Sequence, residues 1–172
     1  MEKGSYFGIV SRIEDEMNYT MVSIDGGQNG AMALWEDVLV KEVKGWSFNP
    51  KRTLSENICD IVDSVRLIIQ HHRPIIVMER PGRQMHIQWV MYSDIRQVAQ
   101  QFRCGFYGYV PPTIKKQVTG NGHAGKPEMK THVWSSGLII DVEQRKVMLD
   151  DEHKVDAVAV GICHMRKEKE NA

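Results

Sequence analysis

Apolar residues along the chain fall into two rhythms. Thr20–Asp25 (Thr-Met-Val-Ser-Ile-Asp) and Pro74–Glu79 (Pro-Ile-Ile-Val-Met-Glu) are short apolar runs bounded by glycine or proline, the pattern of buried strands. Each ends in an acid. After the first run, Gly26, Gly27 and Gly30 supply a turn, and Ala31–Val43 holds enough Val, Leu, Met and Trp for two further strands of an antiparallel meander. A helical rhythm then takes over. Thr53-Leu-Ser-Glu56 is a capping box, followed by Leu54, Ile58, Ile61, Val65 and Ile68 at helical spacing, with Pro74 closing the segment.

Met85–Phe102 predicts a second long helix with two apolar stripes. Ile87, Met91, Ile95, Val98 and Phe102 form one; Met85, Trp89 and Tyr92 form a neighbouring one that covers either a partner subunit or a wide buried arc. Gly105–Val110 reads as a short strand stopped by Pro111-Pro112, and Ile114–Val118 as a helical turn. Pro127–Leu138 reads as a helix with Pro at its first position. Asp150 or Asp151 caps a last helix whose Val155, Val158, Ile162 and Met165 face inward. The order β-β-β-α-β-α-β-α-α predicts an α/β domain, a mixed sheet covered by helices.

At 172 residues, with 42% apolar and 26% charged side chains, this is the composition of one globular domain with a substantial core. Cys59, Cys104 and Cys163 form no CxxC motif, and three cysteines cannot all pair, which favours a reducing compartment. No apolar run approaches a membrane span, and the acidic stretch Glu14-Asp-Glu-Met-Asn18 is unlike a signal peptide. A cytoplasmic setting is expected. The net charge of zero conceals an asymmetry: residues 1–63 carry a balance of −5, residues 64–132 of +7, and residues 133–172 of −2. A basic middle segment suits a phosphate-binding face as well as an ordinary solvated surface.

The candidate chemistry lies at the ends of elements. Buried strand-end acids such as Asp25 and Glu79 are costly unless a counter-charge meets them. On the last helix the i, i+3 spacing puts His153 and Asp156 on one face, off the Val155/Val158/Ile162 stripe. Three carboxylates and an imidazole could hold two hard cations, Mg²⁺ or Mn²⁺, about 3.5–4 Å apart and so support a metal-dependent nuclease. Any one of these acids alone reads as an ion pair or cap; Asp151 and Glu152 read as solvated.

Gly120-Asn-Gly-His-Ala-Gly125-Lys126 satisfies GxGxxG, with Asp141 as a later acid, but the charged segment before it is no buried parallel strand. It also matches a phosphate-binding loop as far as Lys126, where Pro127 takes the place of the Mg²⁺-binding hydroxyl. A loop presenting amides with Lys115, Lys116 and Lys126 fits a DNA backbone better. His71-His72 and Cys163-His164 lack zinc-finger spacing.

Ile114-Lys-Lys-Gln-Val-Thr-Gly-Asn-Gly-His-Ala-Gly-Lys126, the strand-end acids, and His153-Lys-Val-Asp156-Ala together resemble the RuvC-type Holliday junction resolvases of the RNase H-like superfamily, phage-borne members in particular. The likeness runs from about Tyr19 to Arg166. It implies an RNase H-like fold with a mixed five-stranded sheet over residues 19–167, flanked by an N-terminal extension (1–18) of no assigned role and a polar tail (168–172). It implies a crossover junction endodeoxyribonuclease: a homodimer nicking opposed strands of a four-way junction symmetrically in recombination and repair. Asp25, Glu79, His153 and Asp156 would hold two Mg²⁺ or Mn²⁺ ions per site. Lys126 would assist catalysis, and Lys115, Lys116, Lys126, Arg80 and Arg83 would contact DNA. Asp25-Gly-Gly-Gln-Asn-Gly30 and Arg80-Pro-Gly-Arg83 depart from the cellular pattern, which suits a debranching enzyme of loose specificity, working in the host cytoplasm if phage-encoded. The alternatives are an RNase H-like nuclease for other structured DNA or RNA, and a non-catalytic junction-binding protein.

Overall fold

The computed structural model describes residues 19–138 and 151–172. The N-terminal extension, Asp141 and Asp150 lie outside the described residues. Strands β1 (Met21–Asp25), β2 (Asn29–Glu36), β3 (Leu39–Ser47), β4 (Ile75–Glu79) and β5 (Phe106–Tyr109) form one sheet in the order β3-β2-β1-β4-β5. β1 to β3 run as an antiparallel meander, while β4 lies parallel to β1 and β5 parallel to β4. This is the mixed five-stranded sheet expected from the sequence.

Alternate residues of the central strands feed two separate cores. Val22, Ile24, Met32, Leu34, Ile76 and Met78 face α1 (Leu54–His72) and α2 (His86–Gln101). Met21, Ala31, Ala33, Trp35 and Val77 face α3 (Pro111–Thr119), α4 (Lys126–Ser135) and α5 (Glu152–Asn171). A strand covered on both faces needs apolar residues at nearly every position, so β1 and β4 read as continuous runs rather than alternations.

α1 begins at the expected capping box: the Thr53 hydroxyl accepts from the Glu56 amide and the Glu56 carboxylate accepts from the Thr53 amide. Its Ile58, Ile61, Val65 and Ile68 are buried, each gaining about 1.5–3 kcal/mol over exposure. Leu54, assigned to the same stripe, is 47% exposed in the first turn, where the helix overhangs its core. On α2 the second stripe turns mostly into its own chain. Tyr92 is buried and meets Trp89 and Phe106 edge-on, and Trp89 Nε1 donates to the Gly82 carbonyl; of that stripe only Met85 is exposed.

Pro111-Pro112 do more than stop β5. They occupy the first turn of α3, where a missing N–H costs nothing, and the helix runs nine residues rather than one turn. Gly120 ends it with φ 85°, a left-handed conformation open to glycine. α4 ends at Ser135, short of the expected Leu138. α5 differs most from expectation. Val155 and every residue from Ala157 to His164 are buried, because the helix lies on the sheet and is covered by α3 and α4 in turn. It continues through Asn171, so the polar tail is largely its exposed last turn.

Candidate metal centre and nucleic-acid face

Ile24 and Met78 are the last registered pair of the parallel β1–β4 ladder, and the next residues are Asp25 and Glu79. Their carboxylates therefore leave the same end of the sheet on strands about 4.8 Å apart. At that end α5 begins. The Asp151 carboxylate accepts from the amides of His153 (3.0 Å) and Lys154 (3.4 Å), fixing where the helix starts. His153 then falls in the first turn and hydrogen-bonds through Nδ1 to Asp25 Oδ2 at 2.8 Å. Asp156, one turn later, lies close enough to raise the proton affinity of both Asp25 and Glu79. The four side chains singled out in the sequence share one electrostatic site.

That site holds more negative charge than it can settle. Burial, reinforced by Asp156, lifts the Asp25 carboxyl to about 6, although the His153 hydrogen bond and Lys126 oppose the rise. Burial lifts Glu79 to about 7, helped by Asp25 and Asp156 and opposed by Lys115. Asp156 is also raised by burial, against the pull of Lys126, His153 and Lys115. Neighbouring half-buried acids that resist ionisation are the arrangement a hard cation relieves. The donor set, carboxylate oxygens with one imidazole, fits Mg²⁺ or Mn²⁺. As the side chains stand, no three His, Cys, Asp or Glu groups among the described residues converge closely enough to hold an ion, and His153 and Asp25 satisfy one another.

The basic residues divide. Lys115 and Lys126 lie within electrostatic reach of the acids, and Lys126 Nζ is paired with the Glu152 carboxylate. Lys116 instead acts on Glu170 at the far end of α5 and lines a separate surface cavity with Lys167. The Arg80 guanidinium sits 5.8 Å over the Trp89 ring, and Arg83 is exposed. The Gly120–Gly125 loop spends some amides on itself, since Asn121 Oδ1 accepts from His123 N and Thr119 Oγ1 accepts from Asn121 N.

A cavity of about 340 Å³ opens beside Asp25, Glu79 and His153, with Gln28, Asn29 and Gln88 in its wall. No motif marks these amides, which sit in the β1–β2 turn, at the start of β2 and on a helix flank. Nor does any motif mark Glu152 as the partner of Lys126; the one signal is its place directly before His153. Behind the site, Tyr109, which pairs with Glu79 in the β4–β5 ladder, hydrogen-bonds His164 of α5 at 2.9 Å. Burial lowers the His164 pKa and pushes Tyr109 up to about 12, so both stay neutral at physiological pH.

No protein-family model matches the chain. It is 27% identical over 117 residues to the crossover junction endodeoxyribonuclease RuvC of Mycobacterium avium, covering 64% of this chain and 59% of that protein. A RuvC of Mesorhizobium japonicum is 36% identical over 56 residues, 33% of this chain and 29% of that protein. The chain thus spans less than two thirds of the length of the curated relatives it matches. Thermus thermophilus RuvC superposes with a TM-score of 0.70 at 17% identity, covering 88% of this chain and 96% of that one. The same protein in complex with a Holliday junction substrate gives 0.70 at 19% identity, covering 89% and 96%. The chain has the RuvC fold, the RNase H-like arrangement implied by the sequence resemblance.

Proposed function

We propose that the chain is a metal-dependent crossover junction endodeoxyribonuclease that nicks four-way and other branched DNA. The gathering of Asp25, Glu79, Asp156 and His153 at one sheet end, with burial raising all three carboxyl pKa values, carries this reading. Similarity to proteins named RuvC supplies the substrate class.

Asp25, Glu79, Asp156 and His153 would hold Mg²⁺ or Mn²⁺, two ions per site. Bound there, the ions supply an activated water for attack on phosphorus and counter-charge for the departing oxygen. The chain's own residues do the rest. Lys115 and Lys126, basic groups at the edge of the acids, hold the scissile phosphate and oppose the charge that builds on it. Arg80, Arg83 and Lys116 extend the positive face along the backbone. Cutting opposed strands symmetrically calls for two copies, and the exposed Met85 and Val90 on and beside α2 offer apolar surface for that contact. No helix among the described residues is long and apolar enough to cross a membrane. The expected setting is the cytoplasm, that of a host if the chain is phage-borne.

The test is cleavage of a synthetic four-way junction with Mg²⁺ beside matched duplex, flap and RNA–DNA hybrid substrates. Paired nicks in opposed junction strands, leaving 3′-hydroxyl and 5′-phosphate ends, are expected. Preference for the hybrid or flap would assign a different RNase H-like specificity, and binding without cutting would make the protein a junction-binding module.

A further inference from the structure

Two of the four site side chains stand on strands, whose spacing backbone hydrogen bonds fix. The other two stand on α5, and among the described residues α5 makes no backbone hydrogen bond to the sheet. Something else must set where that helix sits. A helix that slips by a single residue moves about 1.5 Å along its axis and turns about 100°, enough to carry His153 and Asp156 away from the strand-end acids.

Beside the Tyr109–His164 bond further along the helix, a buried relay ties α5 to the sheet directly behind the site. Ser23, two residues before Asp25 on β1, donates from Oγ to the Ala157 carbonyl at 2.7 Å. The same Oγ accepts from Trp35 Nε1 of β2 at 2.8 Å. Ser23, Trp35 and Ala157 are each 0% exposed, so no water can replace either bond. Ala157 directly follows Asp156. One turn further on, the Trp35 ring rests against Gly161: a Cβ there would lie 2.3 Å from Cζ2 and 2.9 Å from Nε1. The indole thus occupies a notch in the helix while the hydroxyl holds the carbonyl above it. A notch and a directed bond one turn apart fix both the translation and the rotation of α5.

Resting on the proposed metal-dependent activity, we infer that Ser23 and Trp35 are positioning residues, setting the register of α5 so that His153 and Asp156 meet Asp25 and Glu79. Neither touches a phosphate or an ion; both act through the helix. A serine that merely satisfied a core indole would change stability and nothing else.

The experiment compares wild type with Ser23→Ala, Gly161→Ala and a control, Ile68→Ala, which empties core space on the opposite face of the sheet. Mn²⁺ binding to the protein without DNA is measured by electron paramagnetic resonance, beside thermal midpoints, junction affinity in Ca²⁺ and single-turnover cutting. Ser23→Ala and Ile68→Ala should both melt earlier. Of these two, Ser23→Ala alone should weaken Mn²⁺ binding, by about tenfold, the low end for losing a group that orients ligands. Its cutting rate at saturating junction should fall while junction affinity holds. Gly161→Ala keeps every hydrogen-bonding group and gains helix propensity, yet should lose Mn²⁺ affinity like Ser23→Ala, because the methyl drives the ring out of its notch. It decides the matter if Ser23→Ala does not fold. Wild-type Mn²⁺ affinity in the folded Ser23→Ala, or in Gly161→Ala, would overturn the inference. A wild type that binds Mn²⁺ but cuts no junction refutes the activity alone; one that binds no Mn²⁺ removes the metal site and the positioning role together.

Discussion

Lys126 is held by Glu152, one residue ahead of the histidine that bonds Asp25. The pair is largely exposed, each side chain 62% accessible, so it adds little to stability. Its consequence is for binding: Lys126 must leave Glu152 to meet a phosphate. Glu152→Gln should therefore tighten junction binding at low salt by a few-fold and leave the melting temperature unchanged. Lys126→Ala should lower the single-turnover rate at saturating junction more than it lowers affinity. Loss of affinity and salt dependence alone would make Lys126 a plain backbone contact.

Removing one ligand charge should stop cutting without stopping binding. Asp25→Asn, Glu79→Gln and Asp156→Asn should each lower the rate by several orders of magnitude while junction affinity in Ca²⁺ stays near wild type. Near-normal cutting by any one would take that residue out of the site.

The same acids should cost the metal-free protein stability at neutral pH. A carboxyl whose folded pKa is raised favours folding below its unfolded value, near 4, and that advantage disappears as pH climbs through the folded value, about 6 for Asp25 and about 7 for Glu79. Glu79→Gln should match wild type near pH 4 and exceed it at pH 8 by up to about 3 kcal/mol, several degrees in melting temperature. Saturating Mg²⁺ should shrink the difference by stabilising wild type. Thermal melts across pH, with and without Mg²⁺, give the answer. A variant less stable than wild type at pH 8 would contradict the charge crowding described for the site.

His153 supplies the one imidazole of the proposed donor set. His153→Asp should keep substantial activity, because a carboxylate can take the imidazole's place as a ligand to a hard cation. His153→Ala should lose most of the rate. An Asp variant as inactive as the Ala variant would shift the fourth ligand role to Asp151 or Glu152.

For assembly, the informative substitution is Val90→Glu rather than a change at Trp89. Trp89 is engaged with Tyr92, Arg80 and the Gly82 carbonyl of its own chain, whereas Val90 is 47% exposed. Val90→Glu should reduce a sedimenting dimer to monomers with an unchanged melting temperature. A wild type that sediments as a monomer at micromolar concentration would remove the dimer from the proposal.

The sheet and its acids were legible because a strand covered on both faces leaves a blunt mark: a short apolar run ending abruptly in Asp25 or Glu79. The capping box of α1 was equally plain, since Thr53 and Glu56 act within one turn. What depended on neighbours distant in sequence was not. The all-round burial of α5 comes from α3 and α4 closing over its second side, and a pattern of small residues such as Ala157, Ala159 and Gly161 does not announce it. Whether Trp89 faces a partner or its own chain was left open by the sequence, because the Gly82 carbonyl it bonds reaches it only after the turn folds back. Ser23 carried no signal at all, being one hydroxyl inside an apolar strand.

Asp25 and Glu79 end adjacent parallel strands, so their separation is inherited from the backbone ladder and not from the loops that follow. The turns after them, Gly26–Gln28 and Pro81–Gln84, lie outside the β1–β4 ladder that sets this spacing. In the proposed nuclease, chemistry and substrate choice would thereby be uncoupled: the turns would form an exchangeable fitting on a fixed gauge, free to change which branch is gripped while the cutting distance stays constant.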